Sequence, residues 1–159
     1  MKFRALTTEE LFPLKDDFIK FLSANTITGK DWVSIKKDKP EEADTILEMF
    51  CDIVWEKSLE KINFLVHRDE KYLKVFRCVK EKIEMVGFSV KAENAPSLLA
   101  ETTFEKLGSG DLKFSDLQAE FHTSEKETHD LIMEKFKMME EGCTPCEESY
   151  FYGIKSLVK

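Results

Sequence analysis

The sequence predicts an α+β fold: N-terminal helices, a three-stranded antiparallel meander, then a C-terminal helical segment. Three observations lead there. Apolar residues recur at helical spacing over about residues 8–60. The period then drops to two across three consecutive runs rich in Val, Ile, Phe and Tyr. After residue 123, Ser/Thr capping signals and helical spacing return. The chain has 159 residues, 42% of them hydrophobic and 13 of them Phe. That is enough for one ordinary domain with a core of its own, so a single globular domain over 1–159 is expected.

The first helix opens at a capping box, Thr7 with Glu10, and carries Leu11, Leu14, Phe18, Ile19, Phe21 and Leu22 over about 8–24. Pro13 falls in its first turns, where it is best tolerated. "NTITG" breaks the helix, and Thr28 with Asp31 caps a short one through Trp32. Pro40 opens the clearest helix, about 40–60, with Glu41 and Glu42 at its positive end. Ala43, Ile46, Leu47, Phe50, Ile53 and Val54 form its apolar stripe. "INFLVHR", "YLKVFRCV" and "KIEMVGFSV" follow, split by "DEK" and "KE". Breaks this short join antiparallel neighbours. Phe76 and Cys78 then share one face of the middle strand, with Val75, Arg77 and Val79 on the other.

Beyond the meander, residues 97–107 are expected to form a helix stopped by Gly108, and Ser115 with Gln118 suggests a short helix. Ser124 with Glu127 reads as a further capping box, ahead of a helix bearing Leu131, Ile132, Phe136 and Met139. Gly142 stands where a left-handed C-terminal cap belongs. Thr144, Pro145 and Glu147 read as the start of a last helix over about 145–158.

"LTTEEL", "DFIKFL", the Trp32 segment, "FCDIVWEKSLEK" and "FLVHR…VFRC" together resemble an uncharacterised bacterial family of Bacteroidetes type and unknown function. The resemblance covers roughly residues 1–90 and rests on dispersed positions. It implies no activity and no catalytic residue.

Net charge is −7 from 31 acidic and 24 basic residues, a balance that argues against nucleic-acid binding. Only Arg4, Arg68 and Arg77 are arginines, so the bidentate fork that grips phosphate is scarce. The N-terminus lacks the apolar run of a signal peptide, and no window approaches the roughly 18 apolar residues of a membrane span. A cytoplasmic location with reduced cysteines is therefore expected.

One local feature suggests chemistry. Cys143 and Cys146 stand in "EEGCTPCEES". A C-x-P-C string opening a helix is the local signature of thioredoxin-like oxidoreductases. Only 13 residues follow it, too few to build that fold. In the predicted helix Cys146 lies in the first turn, where backbone N–H groups lower a thiol pKa, while Glu147 and Glu148 oppose this. The alternative to chemistry is a tight turn between antiparallel helices. For zinc, Cys143 and Cys146 need partners, and His122 and His129 are the candidates. A second C-x-x-C is absent.

Other strings resolve to structure. "HRD" at 67–69 has Lys74 where the kinase catalytic loop has Asn, and reads as a strand end entering a hairpin. "GSGD" lacks the ending of a phosphate loop. Glu48, Asp52 and Glu56 read as a solvated helix face. Trp55 lies beside that face, off the apolar stripe. Tyr150, Phe151 and Tyr152 are consecutive, so one helix cannot bury all three against one surface. Trp55, Tyr150 and Tyr152 are accordingly the candidate contact residues. The leading reading is a non-enzymatic cytoplasmic protein that binds another macromolecule, a protein partner or a second copy, with no cofactor. The alternative is a thiol redox or zinc-binding protein acting through Cys143 and Cys146.

Overall fold

The computed structural model describes residues 1–158 and falls into two compact units, Met1–Leu59 and the chain from Glu60 onward.

The first unit is helical: α1 (Thr8–Leu11), a 3-10 turn (Phe12–Leu14), α2 (Lys15–Ala24), α3 (Gly29–Asp38) and α4, which runs Pro40–Glu60 and so ends at the unit boundary. The two predicted capping boxes form. The Thr7 hydroxyl accepts from the Glu10 N–H while the Glu10 carboxylate accepts from the Thr7 N–H, and Thr28 and Asp31 repeat the exchange. The single helix expected over about 8–24 is split: α1 ends at Leu11, the turn bearing Pro13 takes 3-10 geometry, and α2 resumes at Lys15. The core is aromatic. Phe18 meets Trp32 edge-on at 5.2 Å and Phe50 at 5.0 Å, and Phe21 lies 5.5 Å from Phe50. Such tilted contacts suit the ring quadrupoles.

The second unit is built on an antiparallel sheet of five strands, not three. The predicted meander is present as β1 (Phe64–Arg68), β2 (Tyr72–Val79) and β3 (Lys82–Val90). Two further strands extend it in the order β4-β3-β2-β1-β5. β4 (Ala119–Glu127) replaces the predicted Ser115/Gln118 helix and the Ser124 cap: Ser124 pairs with Met85, and 114–118 form turns. β5 is the pair Thr144–Pro145, set against Val66 and Leu65. The last helix, α7, therefore starts at Glu148 rather than Pro145 and ends at Lys155.

Both sheet faces are covered. Leu73, Val75, Val86 and Phe88 point to one side, beneath α5 (Glu101–Ser109), α7 and the 110–118 loop. Their core includes Phe151, Ile154 and Leu117. Leu65, Cys78 and Ile83 point to the other side, beneath α6 (Leu131–Glu140). α5 does not stop at Gly108; Gly110, at φ 84°, caps it. At the end of α6 the Gly142 N–H donates to the Met139 carbonyl and the Cys143 N–H to the Met138 carbonyl, with Gly142 at φ 110°. This is a Schellman ending, where the sequence places a left-handed cap.

Gly87 sits in the middle of β3. A Cβ there would run into the Leu73 carbonyl oxygen of the neighbouring strand. Only glycine lets β2 and β3 approach so closely.

Candidate functional site

The two cysteines of the C-x-P-C string do not form a unit. Their segment is extended, and the Cys146 N–H donates to the Phe64 carbonyl, continuing the β5 pairing. Side chains three apart on a strand point to opposite faces. Cys143 accordingly packs with Leu65, Cys78 and Ile83 on the α6 side, while Cys146 packs with the cluster under α5 and α7. Cys146 precedes Glu147, the N-cap of α7, and so lies outside the first turn of that helix. Burial pushes its thiol up to about 11 and pushes Cys143 up as well. The electrostatic premise of the redox reading is thus removed.

The histidines do not join them. His122 stands on β4, where its Nε2 lies 3.0 Å from the Ser89 hydroxyl, and His129 is exposed in the turn before α6. His122 lies on a strand, 119–127, and His129 beyond its end, so the two candidate zinc partners stand on different elements from the cysteines. Among the described residues no group of three or more His, Cys, Asp or Glu side chains is placed to hold a metal ion. Ser89, His122 and the nearby Glu120 carboxylate match a hydrolytic triad in composition only. Glu120 is paired with Lys91 at 3.0 Å, and His122 and Glu120 are exposed on the sheet.

Trp55 is held within the helical unit. Its indole N–H donates to the Arg4 carbonyl at 3.1 Å, and the Arg4 guanidinium lies 4.8 Å over its ring. Asp52 accepts from the Lys2 and Phe3 N–H groups at 2.8 and 3.0 Å. It therefore departs from the solvated face that its spacing with Glu48 and Glu56 suggests. Arg4 also forks onto Glu10 at 2.9 and 3.0 Å, which holds that carboxyl down at about 2, with the Thr7 N–H assisting.

The aromatic triplet divides as its spacing requires. Phe151 is fully buried, while Tyr150 and Tyr152 remain 48% and 45% exposed on opposite flanks of α7. Tyr152 leans on Phe64 at 6.0 Å. Tyr150 looks onto a slot between α5 and α7 of about 250 Å³. Leu73, Phe88, Phe114 and Ile154 form its base; Phe104 and Leu107 wall it from α5, and Tyr150 and Leu157 from the α7 side.

Two glycines open this slot, Gly108 on α5 and Gly153 on α7. Each costs its helix about 0.5–1 kcal/mol relative to Ala. Neither has a positive φ, and a Cβ at either would meet nothing within 4 Å. Backbone geometry and packing therefore require neither glycine. Both line the slot, and a side chain at either position would have open space before it.

A match to a family model covers residues 1–159; its description is "Family of unknown function" (DUF6495). The chain belongs to the DUF6495 family. The match spans the whole of this DUF6495 chain, well beyond the half on which the sequence resemblance rests. No curated protein and no solved structure is significantly similar to it. The slot, Tyr150 and the cysteine segment thus all lie within the family's span.

The slot was not legible from the sequence. Gly108 reads as a helix stop, and the pattern within one helix does not reveal what faces it. A second apolar groove lies in the helical unit, about 280 Å³ beside Phe12, which is 81% exposed. No glycine lines it. Among the described residues no helix is long and apolar enough to cross a membrane.

Proposed function

We propose that this DUF6495 protein is a non-enzymatic binding protein of the bacterial cytoplasm, whose slot between α5 and α7 receives an apolar side chain of a partner protein. The observation that carries this reading is the pair of helix glycines. They weaken both helices and leave an apolar gap on a buried base. Anchors of this kind dominate binding energy when they fill a dry pocket. Tyr150, at the rim, adds a flat ring and a hydroxyl at small entropic cost.

The volume suits one side chain of Leu or Phe size. Cys146 takes the place of a small packing residue under α7 in this reading, with its thiol protonated at neutral pH. The bacterial source and the cytoplasmic location rest on the sequence resemblance and on the unpaired cysteines.

Panning a random peptide library on the protein tests the reading. Enrichment of peptides with one apolar anchor is expected, with binding lost in Gly153→Leu, whose side chain would occupy the slot. A library that yields no binder, or binders indifferent to Gly153→Leu, would contradict it.

A further inference from the structure

We propose that the partner is read at its C-terminus: an apolar last residue enters the slot and its free carboxylate meets Arg68. This rests on the slot being a partner site, and it adds the chemistry of the group that lies beside the anchor.

Arg68 is the last residue of β1, and its guanidinium lies 5.1 Å over the Phe104 ring, which walls the slot. Stacking holds the planar fork in place while leaving its edge free for a carboxylate. Among the described residues no carboxylate lies within ion-pair distance of Arg68. The other two arginines are committed, Arg4 to Glu10 and Arg77 to Glu84.

Arg68 also lines a second cleft, about 370 Å³, with Thr144, Pro145, Glu147 and Tyr150. Tyr150 lines both cavities, so the apolar slot and the more polar cleft are neighbours across this residue. An apolar pocket for one side chain, beside a cation with no anionic partner among the described residues, matches the end of a peptide. The cleft lies beside β5, one of the two edge strands, whose outward residue Pro145 offers a carbonyl but no N–H, so an extended segment laid there can donate to it. Among the described residues Glu147 is the one acidic side chain lining the cleft, and it opposes the incoming carboxylate. A free fatty acid shares the same chemistry, but it has no use for the strand edge.

The experiment is an amide-resolved NMR titration with N-acetyl-Gly-Ser-Gly-Phe and with its C-terminal carboxamide. The free acid is expected to bind about five- to tenfold more tightly, as a charge-assisted contact at an exposed site allows. Arg68→Gln should abolish the difference, and Glu147→Gln should enlarge it. Equal binding of acid and amide would overturn the terminal-carboxylate proposal while leaving the slot as a partner site. Binding of neither peptide would overturn both. Binding of decanoate without either peptide would overturn the peptide identity. Arg68→Gln removes an exposed side chain, and its unchanged amide spectrum would show that lost discrimination is not lost folding.

Discussion

At the scale of single residues, most of the specific behaviour follows from neighbours that the chain brings from a distance. Glu10 is held near 2 by Arg4 and Thr7, against an ordinary value of 4.5. Between those values the unfolded chain takes up a proton that the folded chain refuses, so this pair's contribution is lost as the pH falls from 4.5 through 2. Urea titrations across that range should show a shallower loss of stability in Arg4→Gln than in the parent; identical acid limbs would contradict the pairing. The cysteines behave oppositely. Burial raises Cys78 and Cys146 to about 11, so the native thiols should react slowly with a disulfide reagent at pH 8. Mild oxidant should not join Cys143 to Cys146, because they lie on opposite faces of the sheet. Loss of two hydrogens on a peptide containing both, seen by mass spectrometry of the native protein, would show that placement to be wrong. The Arg4–Trp55 and Asp52 contacts could not be read from the sequence, since they span about fifty residues. Lys135 shows the same limit. It is buried on the apolar side of α6 near Cys78, where desolvation lowers its pKa. Helical spacing records its position, while its charge reads as surface.

At the scale of elements, what was legible is what local physics decides. The capping boxes at Thr7 and Thr28, the helix opened by Pro40 and the three strands with their short breaks all appear where the sequence places them. Each depends on groups within a few residues. β4 is hidden in the sequence because "AEFHTSEKE" lies at an edge, exposed along most of its length. Only Ala119 and Phe121 mark its inward face, and Ser124 with Glu127 imitates a cap. β5 is hidden because two residues show no period, and Pro145 suits a sheet edge as well as a helix start. The β2–β3 turn gives an element-scale prediction. Lys80 and Glu81 both hold positive φ, at 55° and 61°. Replacing them by Asn-Gly should raise stability by about 1 kcal/mol, seen as a higher urea midpoint at unchanged slope. Gly87→Ala should act the other way, costing about 1–3 kcal/mol or more as β2 and β3 are forced apart. A neutral Gly87→Ala would mean that the sheet is looser than its hydrogen-bonded register implies.

At the scale of the whole molecule, the second unit gives up stability where a binding site would need it. Covering both sheet faces follows from the strand pattern, since Leu65, Cys78 and Ile83 alternate with Leu73, Val75 and Val86 across the pleat. The opening between α5 and α7 does not follow from that pattern. Gly153→Ala should stabilise the protein by about 0.5–1 kcal/mol, since the added methyl meets nothing and the helix gains propensity. A substitution that improves the fold while impairing binding separates function from structure in a way that a destabilising one cannot. The most direct measurement is therefore the N-acetyl-Gly-Ser-Gly-Phe titration on the parent and on Gly153→Leu, with thermal unfolding recorded for both. Shifts centred on Phe104, Leu107, Tyr150 and Gly153 in the parent, and their loss in a variant that melts no lower, are the predicted result. No shifts at those residues, or undiminished binding by Gly153→Leu, would contradict the slot as a partner site.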